Sequence, residues 1–360
     1  MSADDSKAVG IKDIALALGV SIGTVDRALH GRTGVNEKTR ARILKMAAEL
    51  DYRPNVAARN LKLNRHIRVA AYLPRKIEYF FDPLRDGIRA AAAAVHGVNV
   101  DLTFRDYARM GEGDVKIIEE DLAASGKRYD AVILSPGNPA RMEPLLQRFN
   151  AVGTAVVCVA TDAPNAERLT SIAVDAAVSG GLAAELLGRA IQKKASVAVV
   201  TGDLGTEDHA EKLRGFAATV ALLAPHLSLL PALETHERAE EAYQAAVQLL
   251  RRKPRPEGLY ISTANSLPVL RALEERKLLG EVQVITTDLF PELLPLIERG
   301  KILASLHQRP FTQGKAAFEA LVQFLIRKER SRQMTRLAPH IIMRSNLSIF
   351  TRLRDREEDT

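Results

Sequence analysis

From Ile67 to about Phe350 the chain alternates continuous apolar, β-rich runs with amphipathic stretches, and this alternation restricts the fold more than any other feature. The runs are IRVAAYLP (67–74), VDLTF (100–104), AVILSP (131–136), AVVCVAT (155–161), VAVVTG (197–202), GLYIST (258–263), VQVITTD (282–288) and ILASLHQ (302–308). Helical periodicity fills the intervals 84–96, 176–193, 208–223, 237–252 and 267–278. Strands that are apolar on both faces and separated by helices predict a parallel, doubly wound α/β sheet. About 280 residues exceed one comfortable sheet domain, so two lobes are expected.

In such folds ligands bind beyond the C-terminal ends of the strands. Asp162, Asp175, Asp203, Ser262, Thr263, Asp288, His307 and Gln308 cluster at those ends. They do not have catalytic spacing. The chain has no Gly-x-Ser-x-Gly, no phosphate-binding P-loop and no His pair at metal-ligand spacing, so neither an enzyme, a cofactor nor a metal is expected. Ser179-Gly180-Gly181 is too weak for a dinucleotide loop and reads better as close helix packing. The single cysteine, Cys158, lies among valines and reads as inert core; it rules out an internal disulfide. The N-terminal residues include acids and no apolar run, and no stretch has about 18 apolar residues, so a cytoplasmic chain without membrane contact is expected.

The charge is concentrated at one end. Residues 1–66 carry twelve Lys and Arg against seven Asp and Glu, which accounts for +5 of the whole chain's +7. A basic head on a near-neutral body suggests a module for a polyanion. A functionless basic tail would lack apolar periodicity, and this segment has it. Ile11, Ile14, Ala15 and Leu18 repeat at helical spacing, and Gly19 suits a left-handed helix stop. Ser21 can cap a second helix with Val25 and Leu29 inward, and Asn36 a third with Ile43, Ala47 and Leu50 inward. The spacing Ala15, Gly19, Val25 is that of a helix-turn-helix: a small residue for close crossing, a Gly for the turn, an apolar lock. Pro54 then stops the third helix. Asn55 can cap a short segment, 56–61, that is too short to be a stable helix alone and would form on DNA against its counterpart from a second subunit.

The run IKDIALALGVSIGTVDRALHGR, followed by VNEKTRARILKMAAELDYRPNVAARNLK, resembles the lac repressor (LacI/GalR) family of bacterial transcription regulators, continuously from about Gly10 to Asn64. The resemblance implies a homodimer on near-palindromic double-stranded operator DNA. Its recognition helix, Ser21 to Leu29, would enter the major groove, with Ile22, Gly23, Asp26 and Arg27 where the family contacts bases and phosphates. Ser21 and Thr24 suit phosphates, and Arg27 a phosphate or a guanine. His30 belongs to the same candidate surface. Leu61 would be the minor-groove wedge, with Asn55, Ala58, Arg59 and Asn60 beside it. Asp26 stands where the family has a small Ser; it should accept from a cytosine amine or form an ion pair within the protein. Gly23 offers no side chain to read a base, and Ile22 offers only apolar contact.

The body is similar, more weakly, to the periplasmic sugar-binding-protein fold that these regulators use. Tyr79-Phe80-Phe81 and Leu84-x-Asp-Gly87 look like the loop after the first strand, where rings stack on a sugar; ordinary core is the alternative for Phe80 and Phe81. Asp288 fits the acid that binds ligand hydroxyls, and Gln308 with Arg309-Pro310 the amide at the lobe crossover; the alternative for each is a cap or an interlobe bond. Asp162 joins this set. Ala160 replaces an acid and Ala210 an Arg common in sugar binders, leaving His209 or Lys212 to substitute. Ser262 stands where an Asn is common, with Asn265 one turn on. A small sugar-like or polyol effector outside the standard sugars is therefore implied.

The expected organisation is a DNA-binding head (7–53), a hinge (54–66), an effector and dimerisation body (67–350) and a charged tail (351–360). The body would divide into one lobe of about 67–172 with 309–337 and another of about 173–308 with 338–350. No leucine heptads follow it, so a dimer is expected rather than a coiled-coil tetramer. The function implied is an allosteric, effector-controlled transcriptional regulator, most often a repressor in this family. Its rivals are a solute-binding protein and an α/β enzyme with a DNA-binding head.

Overall fold

The computed structural model describes residues 9–29, 31–50, 52, 66–124, 129–329 and 332–351. The chain forms two compact units, one of residues 1–65 with 96–99 and the other of residues 66–95 with 100–360.

The head is three helices, α1 (Ile11–Leu18), α2 (Ile22–Leu29) and α3 (Glu37–Glu49). Gly19 ends α1 in the left-handed conformation, φ 64° and ψ 34°, where an L side chain would strain the backbone. Ser21 Oγ accepts the Thr24 amide at 3.1 Å and starts α2. Asn36 Oδ1 accepts the Thr39 amide at 2.8 Å and starts α3. Ile14, Ala15, Val25, Ala28, Ile43 and Ala47 form the buried centre, with Leu29 and Leu50 packed at its edge. The expected lock is thus Val25 with Ala28, and Leu29 lies further out.

The body contains two sheets. The first has the order β12–β5–β4–β3–β1–β2, from β1 (His66–Pro74), β2 (Asn99–Tyr107), β3 (Ala131–Leu134), β4 (Ala155–Val159), β5 (Thr170–Val174) and β12 (Met334–Leu337). The second runs β13–β11–β10–β9–β6–β7, from β6 (Ala195–Thr201), β7 (Leu227–Leu229), β9 (Gly258–Ile261), β10 (Gln283–Thr287), β11 (Ala304–His307) and β13 (His340–Ile342), and β8 (Leu233–Glu234) also pairs with β6. Pairing within both sheets is parallel wherever it is defined, except that edge strand β13 runs antiparallel to β11. The chain changes sheet after β5, after β11 and after β12. β5 reaches Val174, so the first lobe extends past the expected end at 172.

The helices around these sheets are α4 (Glu78–Ala93), α5 (Asp114–Ala123), α6 (Pro139–Ala151), α7 (Ala176–Ala190), α8 (Glu207–Leu223), α9 (Ala239–Leu250), α10 (Leu267–Glu275), α11 (Leu294–Glu298) and α12 (Pro310–Val322). The five strands outside the expected eight, β5, β7, β8, β12 and β13, have two to five residues each, too few for a periodicity signal. Phe80 and Phe81 correct a second expectation: they lie in the first turn of α4, not in a loop. Pro83 lies inside that helix, past its first turn, and removes one of its hydrogen bonds, while Arg85 fixes the helix to the strand ends. Its Nη2 donates to Pro74 O at 2.6 Å and to Asp106 Oδ1 at 2.8 Å. Gly180 lets α7 and α8 touch through their backbones, since a Cβ there would run into the Lys212 carbonyl. This supports the packing reading of Ser179-Gly180-Gly181. No helix among the described residues is long and apolar enough to cross a membrane.

Candidate functional site

The cleft of the body lies between the two sheets, beyond the C-terminal ends of their strands. Ile77, Phe80, Phe81, Met110, Ala160 and Thr161 line it from the first lobe, and Asp208, His209, Lys212, Glu237, Ser262 and Thr263 from the second, with Gln308 at the crossover. Phe80 and Phe81 meet edge to face, ring centroids 4.9 Å apart, and make the aromatic wall. Three of the lining residues are left-handed without being glycine: Ile77 at φ 65°, Ala160 at φ 69° and Glu237 at φ 54°. Asp288 and Arg309, on either side of the crossover, are left-handed too. Backbone strain of this kind collects where a fold holds side chains for a purpose.

Lys212 is the centre of the polar wall. Its side chain is 1 % exposed. Nζ donates to Asp208 Oδ2 at 2.7 Å, Gln308 Oε1 at 2.7 Å and Ser262 O at 3.3 Å. An ammonium has three donors, so all are used. Asp208 Oδ1 is buried and has no partner. Gln308 is in turn held by Asp288, whose Oδ1 accepts its amide N–H at 2.8 Å and whose Oδ2 accepts Nε2 at 2.7 Å. Beside this group, the Thr263 hydroxyl donates to the Glu237 carboxylate, 2.8 Å from Oε1 and 2.7 Å from Oε2. The Asp203 amide points at His209 Nδ1 at 3.0 Å. The Asp203 carbonyl lies 3.2 Å from the same nitrogen, and Nε2 is 3.4 Å from Glu237 Oε1. Gly202 permits this approach, because a Cβ there would run into both His209 and Glu237.

The structure thus brings Phe80, Phe81, His209, Lys212, Ser262 and Gln308 to one cleft. It places four other candidates elsewhere. Asp162 is buried in an ion pair with Arg168, Oδ1 to Nε 2.6 Å and Oδ2 to Nη2 2.6 Å. Asp288 is wholly buried behind Gln308 and positions it. Asn265 lies outside the lining, its amide N–H on Thr263 Oγ1 at 3.1 Å. Asp175 is the cap of α7, accepting the Val178 amide at 2.9 Å. Glu237 and Asp208 were missed: both read as ordinary charges on the first turn of an amphipathic helix.

The lobes stand close together. Thr206 Oγ1 donates to Gly137 O at 2.7 Å, and Tyr79 stacks on Phe290 at 4.4 Å and donates to Glu292 Oε1 at 2.6 Å. The cavity between them measures about 50 Å³. A water's share of the liquid is about 30 Å³, so a sugar-sized molecule enters only when the lobes part.

On the head, Ser21, Ile22, Gly23 and Arg27 are exposed along α2, with Ile22 49 % exposed. Ser21 Oγ and Thr24 Oγ1 are 2.8 Å apart. Asp26 Oδ2 lies 3.2 Å from Arg32 Nη1, which favours the ion pair over a base contact. His30, Asn55, Ala58, Arg59, Asn60 and Leu61 lie outside the described residues.

Residues 10–55 match the model of bacterial regulatory proteins of the lacI family, and residues 69–329 match the periplasmic binding protein domain. The chain belongs to the periplasmic-binding-protein domain family and carries a lacI-family head. This lacI-type regulator is 28 % identical to catabolite control protein A of Streptococcus mutans over 252 residues, 69 % of the chain and 71 % of that relative. It is 23 % identical to the HTH-type transcriptional repressor PurR of Vibrio atlanticus over 353 residues, 94 % and 98 % of the two chains. Among solved structures, its body is similar to an ABC transporter solute binding protein of Burkholderia graminis in complex with D-arabinose, with TM-score 0.71 and 22 % identity over 79 % of this chain and 98 % of that one. A glucose-galactose binding protein of Geobacillus stearothermophilus gives TM-score 0.70 at 23 % identity, over 79 % and 98 %. The lacI-type regulator is a DNA-binding transcription factor with a small-molecule domain.

Proposed function

We propose that this regulator works in the cytoplasm as a homodimeric repressor, without enzymatic activity, and that a small polyhydroxylated effector in the cleft sets its grip on operator DNA. The observation that carries the reading is the cleft itself: an aromatic wall opposite carboxylates and hydroxyls, in a chain with a helix-turn-helix head. Carboxylates that accept from neighbouring hydroxyls, beside rings that cover an apolar sugar face, are what a polyol needs. The sugars named for the two solved relatives support this class. Residues Ser21, Ile22, Gly23, Thr24 and Arg27 are the proposed DNA contacts from α2. Leu61 is the proposed minor-groove wedge. Phe80, Phe81, His209, Glu237, Asp208 and Thr263 are the proposed effector contacts, and Lys212, Gln308 and Asp288 hold them in place.

The lobes must part to admit a ligand, so occupancy and lobe angle are linked, and lobe angle is proposed to set the spacing of the paired hinges. Couplings of this kind amount to about 1–3 kcal/mol. The test is fluorescence anisotropy of the full chain on a DNA site selected from a random library, titrated with sugars and polyols. A member that shifts operator affinity five-fold or more, and loses that effect in Phe81→Ala, is expected. A chain that selects no preferred site would remove the regulator reading. Product formation from any panel member would restore the enzyme reading.

A further inference from the structure

The charges of the cleft do not balance, and the imbalance selects among effectors. This argument rests on the reading that the cleft is the effector site. Asp208 is paired with Lys212. Glu237, whose side chain is 6 % exposed, is reached by the Thr263 hydroxyl and by His209 Nε2 at 3.4 Å, and by no Lys or Arg among the described residues. A buried carboxylate without a Lys or Arg partner is costly. The cleft mouth leans the same way: Glu112, Asp203 and Glu241 stand there with Arg238 and His236. Arg238 is engaged with Glu241 at 3.2 Å and Glu112 at 3.7 Å, and His236 with Glu241 at 2.8 Å.

No cation of the lining remains for an anionic ligand. Lys212 is its only Lys or Arg, and every donor of that ammonium is already taken inside the protein. A sugar phosphate or sugar acid would meet two carboxylates and no free positive group. Two acceptors, by contrast, await donors: the Glu237 carboxylate, which can accept more bonds than it has, and the buried, unpartnered Asp208 Oδ1. The Phe80 and Phe81 wall is compatible with a cation and with the apolar side of a carbon skeleton.

We infer that the effector is a hydroxylated amine, an amino sugar or amino polyol, whose ammonium is received by Glu237 and whose hydroxyls are received by Asp208 and Thr263. The replacement of the sugar binders' acid by Ala160 and of their Arg by Ala210 agrees with a ligand outside the neutral sugars. Ala160 stands in the cleft wall, and Ala210 is not among the lining residues.

The test is calorimetry on the full-length protein with matched probes: D-glucosamine against D-glucose, N-methyl-D-glucamine against D-glucitol, and D-gluconate and D-glucose 6-phosphate as anions. At least one amine should bind ten-fold or more tighter than its hydroxyl twin. Glu237→Gln should bring the two within two-fold. If that variant does not fold, N-acetyl-D-glucosamine on the wild type replaces it, and masking the amine should remove the gain. Equal or tighter binding of the neutral twin, tightest binding of an anion, or no binding of any amine overturns the inference. If a neutral or anionic probe binds and Phe81→Ala weakens it, the cleft remains the effector site and only the amine is lost. If no probe binds, or the one that binds ignores both variants, the effector-site reading falls too.

Discussion

Lys212 shows how one buried side chain can tie together the wall of a proposed site. It satisfies Asp208, the Gln308 amide oxygen and the Ser262 carbonyl, and so fixes elements far apart in sequence. Lys212→Met should therefore be more damaging than loss of a surface lysine. It leaves the Asp208 carboxylate, 11 % exposed, without its cation, and breaking a buried pair from one side costs about 3–5 kcal/mol. Urea unfolding checks this, and adding Asp208→Asn should recover part of the loss. A loss under about 1 kcal/mol would mean that the pair is solvated. Cys158 offers a second check. Burial pushes its thiol up to about 12, with the nearby Asp162 charge adding to the rise. A thiolate is the reactive form, so alkylation of the native protein at pH 8 should proceed only as fast as the first lobe opens. Labelling at the rate of a free thiol would contradict the burial.

The misplaced carboxylates mark the limit of the sequence at this scale. An acid after a strand end is easily found, but the strand does not say which neighbour claims it. Arg168, six residues on, claims Asp162, and Gln308, twenty residues on, claims Asp288. Glu237 is the converse. It sits in HERAEE, where any helix surface would carry such charges, and it is buried only because Thr263 and His209 arrive from other elements.

Elements were legible where their signals are local. The head follows from caps and a turn glycine within each helix's own residues, and its three helices lie where Gly19, Ser21 and Asn36 put them. The early start of α4 was not legible, because Pro83 reads as a stop and the anchoring of Arg85 to Pro74 and Asp106 is tertiary. Contacts between elements give two predictions. Gly180→Ala places a Cβ against the Lys212 carbonyl. It should cost about 1–3 kcal/mol by overpacking, seen as a lower denaturation midpoint, and a neutral result would mean that α7 slides freely on α8. Tyr79→Phe removes the hydroxyl that reaches Glu292 at 2.6 Å and keeps the stack on Phe290. The lobes must part for entry, and an exposed hydrogen bond contributes about 0.5–1.5 kcal/mol. Effector association should therefore quicken by about two- to ten-fold in stopped flow. An unchanged association rate would show that this contact does not hold the lobes together.

At the scale of the whole molecule, the two proposed binding surfaces lie on different compact units, and only energetic coupling would make them a switch. That coupling has a required symmetry. If the effector weakens operator affinity by some factor, operator DNA must weaken effector affinity by the same factor. Titrating effector in the presence and absence of saturating DNA measures one arm, and titrating DNA with and without saturating effector measures the other. Unequal factors would mean that one ligand also acts somewhere other than the cleft or the head. Arg27→Ala separates the surfaces. Arg27 is exposed on α2, and losing one phosphate or guanine contact should weaken operator binding by about 1–3 kcal/mol. If the contact is to phosphate, the salt slope should also fall by about one. Because Arg27 is a proposed DNA contact on the head, effector affinity without DNA should stay as it is, and the coupling factor should survive at the higher DNA concentration needed to saturate. A variant that weakened both ligands together would place Arg27 in the fold of the head rather than on its DNA surface.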